Sequence, residues 1–139
     1  MPQIFRTTRR IEFRDTDAAG IAHFSMFLVA MEQVEHEFLR SLGLSVLASD
    51  ATGPISWPRV AVHCDFSGAV RFEDVLDAEL TIDRLGHKSI TYRVRFGHLG
   101  RPVAEGTITA VCCRLDGANW QSTPIPDWFR QKVQPFAAA

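Results

Sequence analysis

Phe24-Ser25-Met26-Phe27-Leu28-Val29-Ala30-Met31-Glu32-Gln33-Val34-Glu35-His36-Glu37-Phe38-Leu39-Arg40-Ser41-Leu42-Gly43 decides the fold, because it reads as one long helix in a chain otherwise dominated by strand patterns. Phe24, Phe27, Leu28, Met31, Val34, Phe38, Leu39 and Leu42 recur at three- and four-residue spacing, so residues 22–42 carry a broad apolar stripe. Gly43 is placed to end the helix in the left-handed conformation. Upstream, residues 4–13 read as a first strand and 14–21 as an acidic loop. Downstream come an apolar segment, Leu44 to Leu47, and a loop holding Gly53, Pro54 and Pro58. A strand is predicted from Val60 to Phe66. Leu76, Ala78, Leu80 and Ile82 alternate with acids and Thr, and Ile90, Tyr92, Val94 and Phe96 alternate with Ser, Thr and Arg, the period of half-buried strands. Val103 to Leu115 is predicted as one long final strand, and Pro124 to Val133 as a short helix. Short turns between consecutive strands imply antiparallel neighbours. The expectation is a single α+β domain over 1–139: one antiparallel sheet wrapped around one long central helix, with exposed sheet edges that favour oligomerisation.

A chain of 139 residues, 46% hydrophobic and with a net charge of -1, has room for a core and lacks the basic excess of a general nucleic-acid binder. No apolar run approaches bilayer length, and the arginine-dotted N-terminus lacks the apolar core of a signal peptide. The expected setting is cytoplasmic, with no nucleic-acid or membrane partner. Cys64, Cys112 and Cys113 read as reduced structural thiols, the last two on opposite faces of a strand. The five histidines show no metal-ligand spacing, so no metal is indicated.

The chemistry concentrates in Asp15-Thr16-Asp17-Ala18-Ala19-Gly20-Ile21-Ala22-His23-Phe24. A helix N-terminus presents unpaired N–H groups that favour negative charge. A carboxylate beside such donors suits acyl transfer without a serine triad. Taken alone, Asp-x-Asp before a helix is more often turn and capping chemistry. Asp15 is expected to accept hydrogen bonds from the loop backbone, and Gly20 to permit a close approach or a positive φ. Ser25 lies in no G-x-S-x-G elbow and reads as a cap or exposed hydroxyl.

Arg10-Ile11-Glu12-Phe13-Arg14-Asp15-Thr16-Asp17-Ala18-Ala19-Gly20-Ile21 resembles the opening motif of the hotdog-fold acyl-CoA thioesterases, in their 4-hydroxybenzoyl-CoA thioesterase-like branch. The resemblance continues through Phe38-Leu39-Arg40-Ser41-Leu42-Gly43-Leu44, Arg71-Phe72-Glu73-Asp74-Val75-Leu76 and Arg84-Leu85-Gly86-His87-Lys88-Ser89. It implies hydrolysis of an acyl- or aroyl-CoA thioester, active sites shared between subunits, and a homodimer or homotetramer. Coenzyme A enters as part of the substrate, with no separate cofactor. By the same resemblance, Asp17 matches the catalytic carboxylate and Phe24 the N–H that polarises the thioester carbonyl. Lys88 and Ser89 match the turn that holds the coenzyme's nucleotide end, where Gly86 and His87 replace a more basic pair. Glu32 matches an acid near the acyl pocket. His23 stands one place before the histidine of the short-chain acyl-CoA branch, and one helical position is a turn of about 100°; a role orienting water or substrate is assigned to it.

Trp57 and Phe66 are further candidates for an acyl pocket, against the alternative that they fill core. Arg59, Arg71 and Arg93 are equal candidates for coenzyme phosphates. Glu35 and His36 read as solvated helix-face residues, and His63 as a satisfied or interface histidine. Two rival functions stand beside hydrolysis: a hydratase or dehydratase on the same fold, using Asp17 and His23, and a non-catalytic acyl-CoA-binding module. An acyl-carrier protein in place of coenzyme A also remains open.

Overall fold

Phe24–Ser41 form the 18-residue helix α1 in the computed structural model, which describes residues 1–138. Its apolar stripe is the buried face: Phe27, Met31, Val34, Phe38 and Leu39 are almost inaccessible. Each such side chain contributes roughly 1.5–3 kcal/mol by leaving water. Phe38 sits edge-on to both Tyr92 and Phe136, with ring centroids 6.3 and 4.8 Å away. Gly43 ends the helix at φ 73°, as its position predicts.

The face receiving α1 is a five-stranded antiparallel sheet. Its strands are β1 (Phe5–Arg10), β4 (Arg59–Phe66), β5 (Val75–Leu85), β6 (Ser89–His98) and β7 (Arg101–Val111), in the order β1-β5-β6-β7-β4. The alternation read in the sequence is the alternation of burial. Leu76, Ala78, Leu80 and Ile82 face the helix, as do Ile90, Tyr92, Val94 and Phe96. Their neighbours form the outer face, where Arg93 bridges Asp83 and Glu105. Gly106 on β7 lets Met31 settle on the sheet: a Cβ there would lie 2.8 Å from the Met31 sulfur.

β2 (Ala48–Asp50), β3 (Gly53–Ser56), β8 (Cys113–Asp116) and β9 (Asn119–Ser122) form a second sheet in the order β2-β3-β8-β9, and three of these four, β2, β3 and β9, were not expected. The stretch predicted as one strand from Val103 to Leu115 therefore breaks at Cys112. There the backbone leaves the ladder, with Cys112 N–H donating to Lys88 O (2.7 Å) and Cys112 O accepting from Thr123 N–H (2.9 Å). Opposite it Pro58, which has no N–H, separates β3 from β4. Cys112 and Cys113 are both buried, and burial pushes the Cys112 thiol up to about 11. A second helix, α2 (Asp127–Val133), starts three residues later than predicted and closes over this bend. Trp128 Nε1–H of α2 and the Arg114 guanidinium of β8 both donate to the Asp50 carboxylate. These bonds, Arg114's first, hold that carboxyl well below the usual range.

β4 and β1 are the edges of the larger sheet. β4 is the more exposed, with Val60 61%, Val62 54% and Phe66 49% accessible.

Candidate active site

The acidic loop between β1 and α1 is shaped by main-chain hydrogen bonds. Asp17 N–H donates to Ile21 O and Gly20 N–H to Asp17 O, both at 2.9 Å, while Gly20 takes φ 79°. His23 N–H donates to Asp15 O at 2.7 Å. The segment before β5 clamps this loop from outside: Ala22 N–H donates to Val70 O (2.7 Å), Glu73 N–H to Ile11 O and Ile11 N–H to Asp74 O (both 2.8 Å). Glu73 adopts φ 73°, a left-handed conformation uncommon for a residue with a side chain. Nothing local in the sequence announces this clamp.

Asp15 accepts from Glu12 N–H at 2.8 Å through Oδ2, the backbone-bracing part read for it. Asp17 has a divided carboxylate. Oδ1 accepts from Ala19 N–H at 2.8 Å, which fixes the side chain. Among the described residues no donor reaches Oδ2, so one oxygen is held and the other is without a hydrogen bond.

α1 starts at Phe24, seven residues after Asp17. The cap is His23, not Ser25: imidazole Nδ1 accepts from Ser25 N–H at 3.2 Å and lies 2.8 Å from Ser25 Oγ. An accepting Nδ1 leaves the proton of the neutral ring on Nε2. The imidazole lies against the exposed Phe24 ring, with centroids 4.5 Å apart. Among the described residues the Phe24 N–H has no acceptor, so the first donor of α1 points outward at the positive end of the helix dipole.

The arginines proposed as equals are not equivalent. Arg59 Nη1 lies 2.9 Å from Glu35 Oε1 and Nη2 lies 3.8 Å from Glu32 Oε2. Its charge, assigned in sequence to coenzyme phosphate, is thus directed to two helix carboxylates. Arg93 is likewise engaged by Asp83 and Glu105. Arg71 holds no carboxylate within 4 Å among the described residues, and its Nη1 is 3.7 Å from where a Cβ on Gly20 would lie. It therefore borders the acidic loop.

Glu35 corrects the expectation of a solvated helix face. It is 1% exposed, facing the sheet beside Tyr92, and burial pushes its carboxyl up to about 7 against the opposing pull of Arg59. His36 is half-buried, and burial lowers its tendency to protonate. Glu32 remains exposed. Trp57 is 8% exposed and stacks on Phe129 with centroids 4.7 Å apart, a core contact.

Lys88 and Ser89 sit where the 86–89 turn enters β6, Lys88 exposed. The turn is braced by α2, whose Arg130 Nη2 donates to Gly86 O at 2.6 Å, and by Ile125 N–H donating to His87 O at 2.9 Å. Asp15, Asp17, Gly20, His23 and Phe24 form one cluster, joined by Arg71. Glu32, Glu35 and Arg59 form another.

Residues 11–133 match the family model described as a thioesterase-like superfamily. A 1,4-dihydroxy-2-naphthoyl-CoA hydrolase from Synechococcus sp. (strain WH7803) is 35% identical over 137 residues, covering 92% of this chain and 90% of that protein. Among solved structures, a 1,4-dihydroxy-2-naphthoyl-CoA thioesterase from Synechocystis aligns with TM-score 0.85 at 22% identity, over 95% of this chain and 96% of its own. A gentisyl-coenzyme A thioesterase aligns with TM-score 0.77 at 27% identity, over 91% and 99%.

Proposed function

Because this chain belongs to the thioesterase-like superfamily, we propose that the acidic loop and the start of α1 together form its catalytic centre. The protein is a hotdog-fold thioester hydrolase, converting an acyl-CoA to the free carboxylic acid and coenzyme A. The observation that carries the assignment of the centre is the pairing of a free carboxylate oxygen, Asp17 Oδ2, with an unpaired N–H, that of Phe24, at the two ends of one short loop.

The Phe24 N–H, with the helix dipole behind it, binds the thioester carbonyl oxygen and gains strength as that oxygen becomes an oxyanion. Asp17 Oδ2 then acts on the carbonyl carbon. In direct attack it forms a mixed anhydride as coenzyme A leaves as the thiolate, and water hydrolyses the anhydride. As a general base it takes a proton from the attacking water instead. Ala19 N–H fixes Oδ1 in either case. His23 holds the first turn of α1 and so aims the Phe24 N–H; its Nε2–H is available to orient water. Gly20 leaves the approach open, and the exposed Glu32 stays as a pocket candidate, whereas Trp57 fills core against Phe129. Lys88 and Ser89 hold the nucleotide end, Arg71 a phosphate nearer the loop, and Arg59 serves to neutralise Glu35.

The acyl group is aromatic in this proposal, because relatives at 35% and 27% identity bear the names of aromatic acyl-CoA hydrolases. The working assembly is a homodimer through β4, or a tetramer of such dimers, supported by the exposed apolar edge. Three free cysteines accord with a cytoplasmic setting, and no helix among the described residues is long and apolar enough to cross a membrane.

The test is thiol release from a panel of aroyl- and alkanoyl-CoA substrates, with wild type and Asp17→Asn. The variant keeps the shape and loses the charge, and kcat falls by about 10²-fold or more with the fold intact. Near-normal turnover by folded Asp17→Asn removes this residue from the centre. Label in the Asp17 carboxylate after a single turnover in ¹⁸O-water identifies direct attack, with water opening the anhydride at the aspartyl carbon; label in the product acid alone fits the general base or water attack at the acyl carbon.

A further inference from the structure

Residues 67–74 form a strap between β4 and β5 that passes along the acidic loop. At its start, Ser67 N–H and Gly68 N–H both donate to Val103 O of β7, at 2.8 and 3.1 Å. Gly68 lies so close that a Cβ there would be 2.9 Å from Pro102 O. Midway, the Val70 side chain is 1% exposed within the core, while its carbonyl accepts from Ala22 N–H at 2.7 Å. Ala22 stands two residues before Phe24. The Val70 carbonyl therefore holds the chain just ahead of the N–H assigned to the thioester carbonyl.

The far end of the strap is closed by one side chain. Asp74 Oδ2 accepts from Arg71 N–H at 2.8 Å, and Arg71 O accepts from Asp74 N–H at 3.1 Å, which folds residues 71–74 into a tight turn. That turn carries Glu73 at φ 73°, a conformation that persists in a residue with a side chain only when its surroundings hold it. The other carboxylate oxygen faces β6, with Oδ1 3.8 Å from His98 Nε2. His98 Nδ1 lies 3.0 Å from Val75 O, and because a carbonyl only accepts, Nδ1 carries a proton. With its side chain 13% exposed, His98 is wedged between the first carbonyl of β5 and the Asp74 carboxylate.

We propose that Asp74 is a positioning residue for thioester hydrolysis. By closing the 71–74 turn against His98 it fixes the Val70 carbonyl, and through Ala22 it sets where the Phe24 N–H points. Asp74 itself touches no reacting atom. This inference rests on the assignment of the catalytic centre to Asp17 and the Phe24 N–H. Truncating the Asp74 side chain leaves the backbone pairs between Ile11 and residues 73 and 74 in place, so the strap stays attached to the end of β1 while its turn loosens.

The test combines kinetics of the full-length protein on an acyl-CoA and the matching acyl-pantetheine with amide exchange followed by NMR. Asp74→Ala lowers kcat by about tenfold or more on both substrates, because a displaced donor loses its alignment with the reacting carbonyl. KM for acyl-pantetheine stays within about twofold, the split expected for an interaction gained in the transition state. The Ala22 amide exchanges about tenfold faster, reporting local opening of the strap. Asp74→Asn restores both readouts, since its amide oxygen accepts from Arg71 N–H and its NH2 faces His98 Nε2. His98→Ala keeps the Asp74–Arg71 bond, so it serves even if Asp74→Ala fails to fold, and it shows the same two changes at about threefold. Wild-type kcat and exchange in His98→Ala or in folded Asp74→Ala overturn the proposal. So does a kcat loss that Asp74→Asn shares in full, or one without faster exchange at Ala22. Asp17→Asn is assayed alongside. Normal turnover by that variant overturns the centre and this inference with it, whereas an inactive Asp17→Asn beside a fully active Asp74→Ala removes only the role of Asp74.

Discussion

At position 35 a carboxylate occupies a place built for an apolar side chain. The spacing Met31, Glu35, Phe38 puts Glu35 inside the buried stripe, and the periodicity carried that information. Its charge suggested the solvated face because the partner, Arg59, comes from a strand 24 residues away. Burial raises the folded-state pKa of Glu35 to about 7, above the ordinary 4.5. A raised carboxyl contributes stability that is complete below the unfolded value and lost as pH rises through the folded one. Arg59 opposes that loss. Arg59→Met therefore lowers stability by about 1–2 kcal/mol more at pH 8 than at pH 5, because the unpaired Glu35 of the variant keeps the proton that the wild-type residue has released at pH 8. Urea denaturation at the two pH values is the check, and equal losses at both would show that Arg59 matters for packing alone. Asp17 and Gly20 were legible as a motif. The free oxygen on Asp17 was not, because it depends on which backbone N–H takes the other one.

The larger elements follow their periodicity, and the small ones do not. β5 and β6 were readable because every second residue is buried. β9 is exposed along its whole length and β2 has three residues, so neither bears a pattern. The break of the last long strand at Cys112 follows from hydrogen bonds to residues 88 and 123, which no window of sequence contains. Where α1 meets the sheet, the tightest place is Gly106. An added Cβ would lie 2.5 Å from His63 O and 2.8 Å from Met31 Cε. A flexible methionine can move, whereas the carbonyl is fixed in the β4–β7 ladder. Gly106→Ala is expected to cost about 1–3 kcal/mol by overpacking, seen as a lower urea midpoint at unchanged slope. Met31→Ala in the same background would restore little of it, since the carbonyl clash remains.

For the whole molecule, β4 is the surface that a monomer manages poorly. Its eight residues expose one row of backbone groups over about 26 Å, at roughly 3.3 Å per residue, flanked by exposed Val60, Val62 and Phe66. In the dimer proposed through β4, Val62→Asp places like charges opposite each other, so sedimentation at micromolar concentration should give monomers, with kcat reduced alongside. A fully active monomer contradicts a centre shared between subunits. The acidic loop has a different kind of dependence. Its outline is drawn mainly by carbonyl and amide groups of residues 11, 15, 17, 21, 70 and 74, with the carboxylates of Asp15 and Asp17 bracing it from within. Selection can therefore exchange the exposed letters around it, Phe13 and Phe72 among them, while the outline persists. Descendants of such a chain inherit the loop as a template and need alter only its rim.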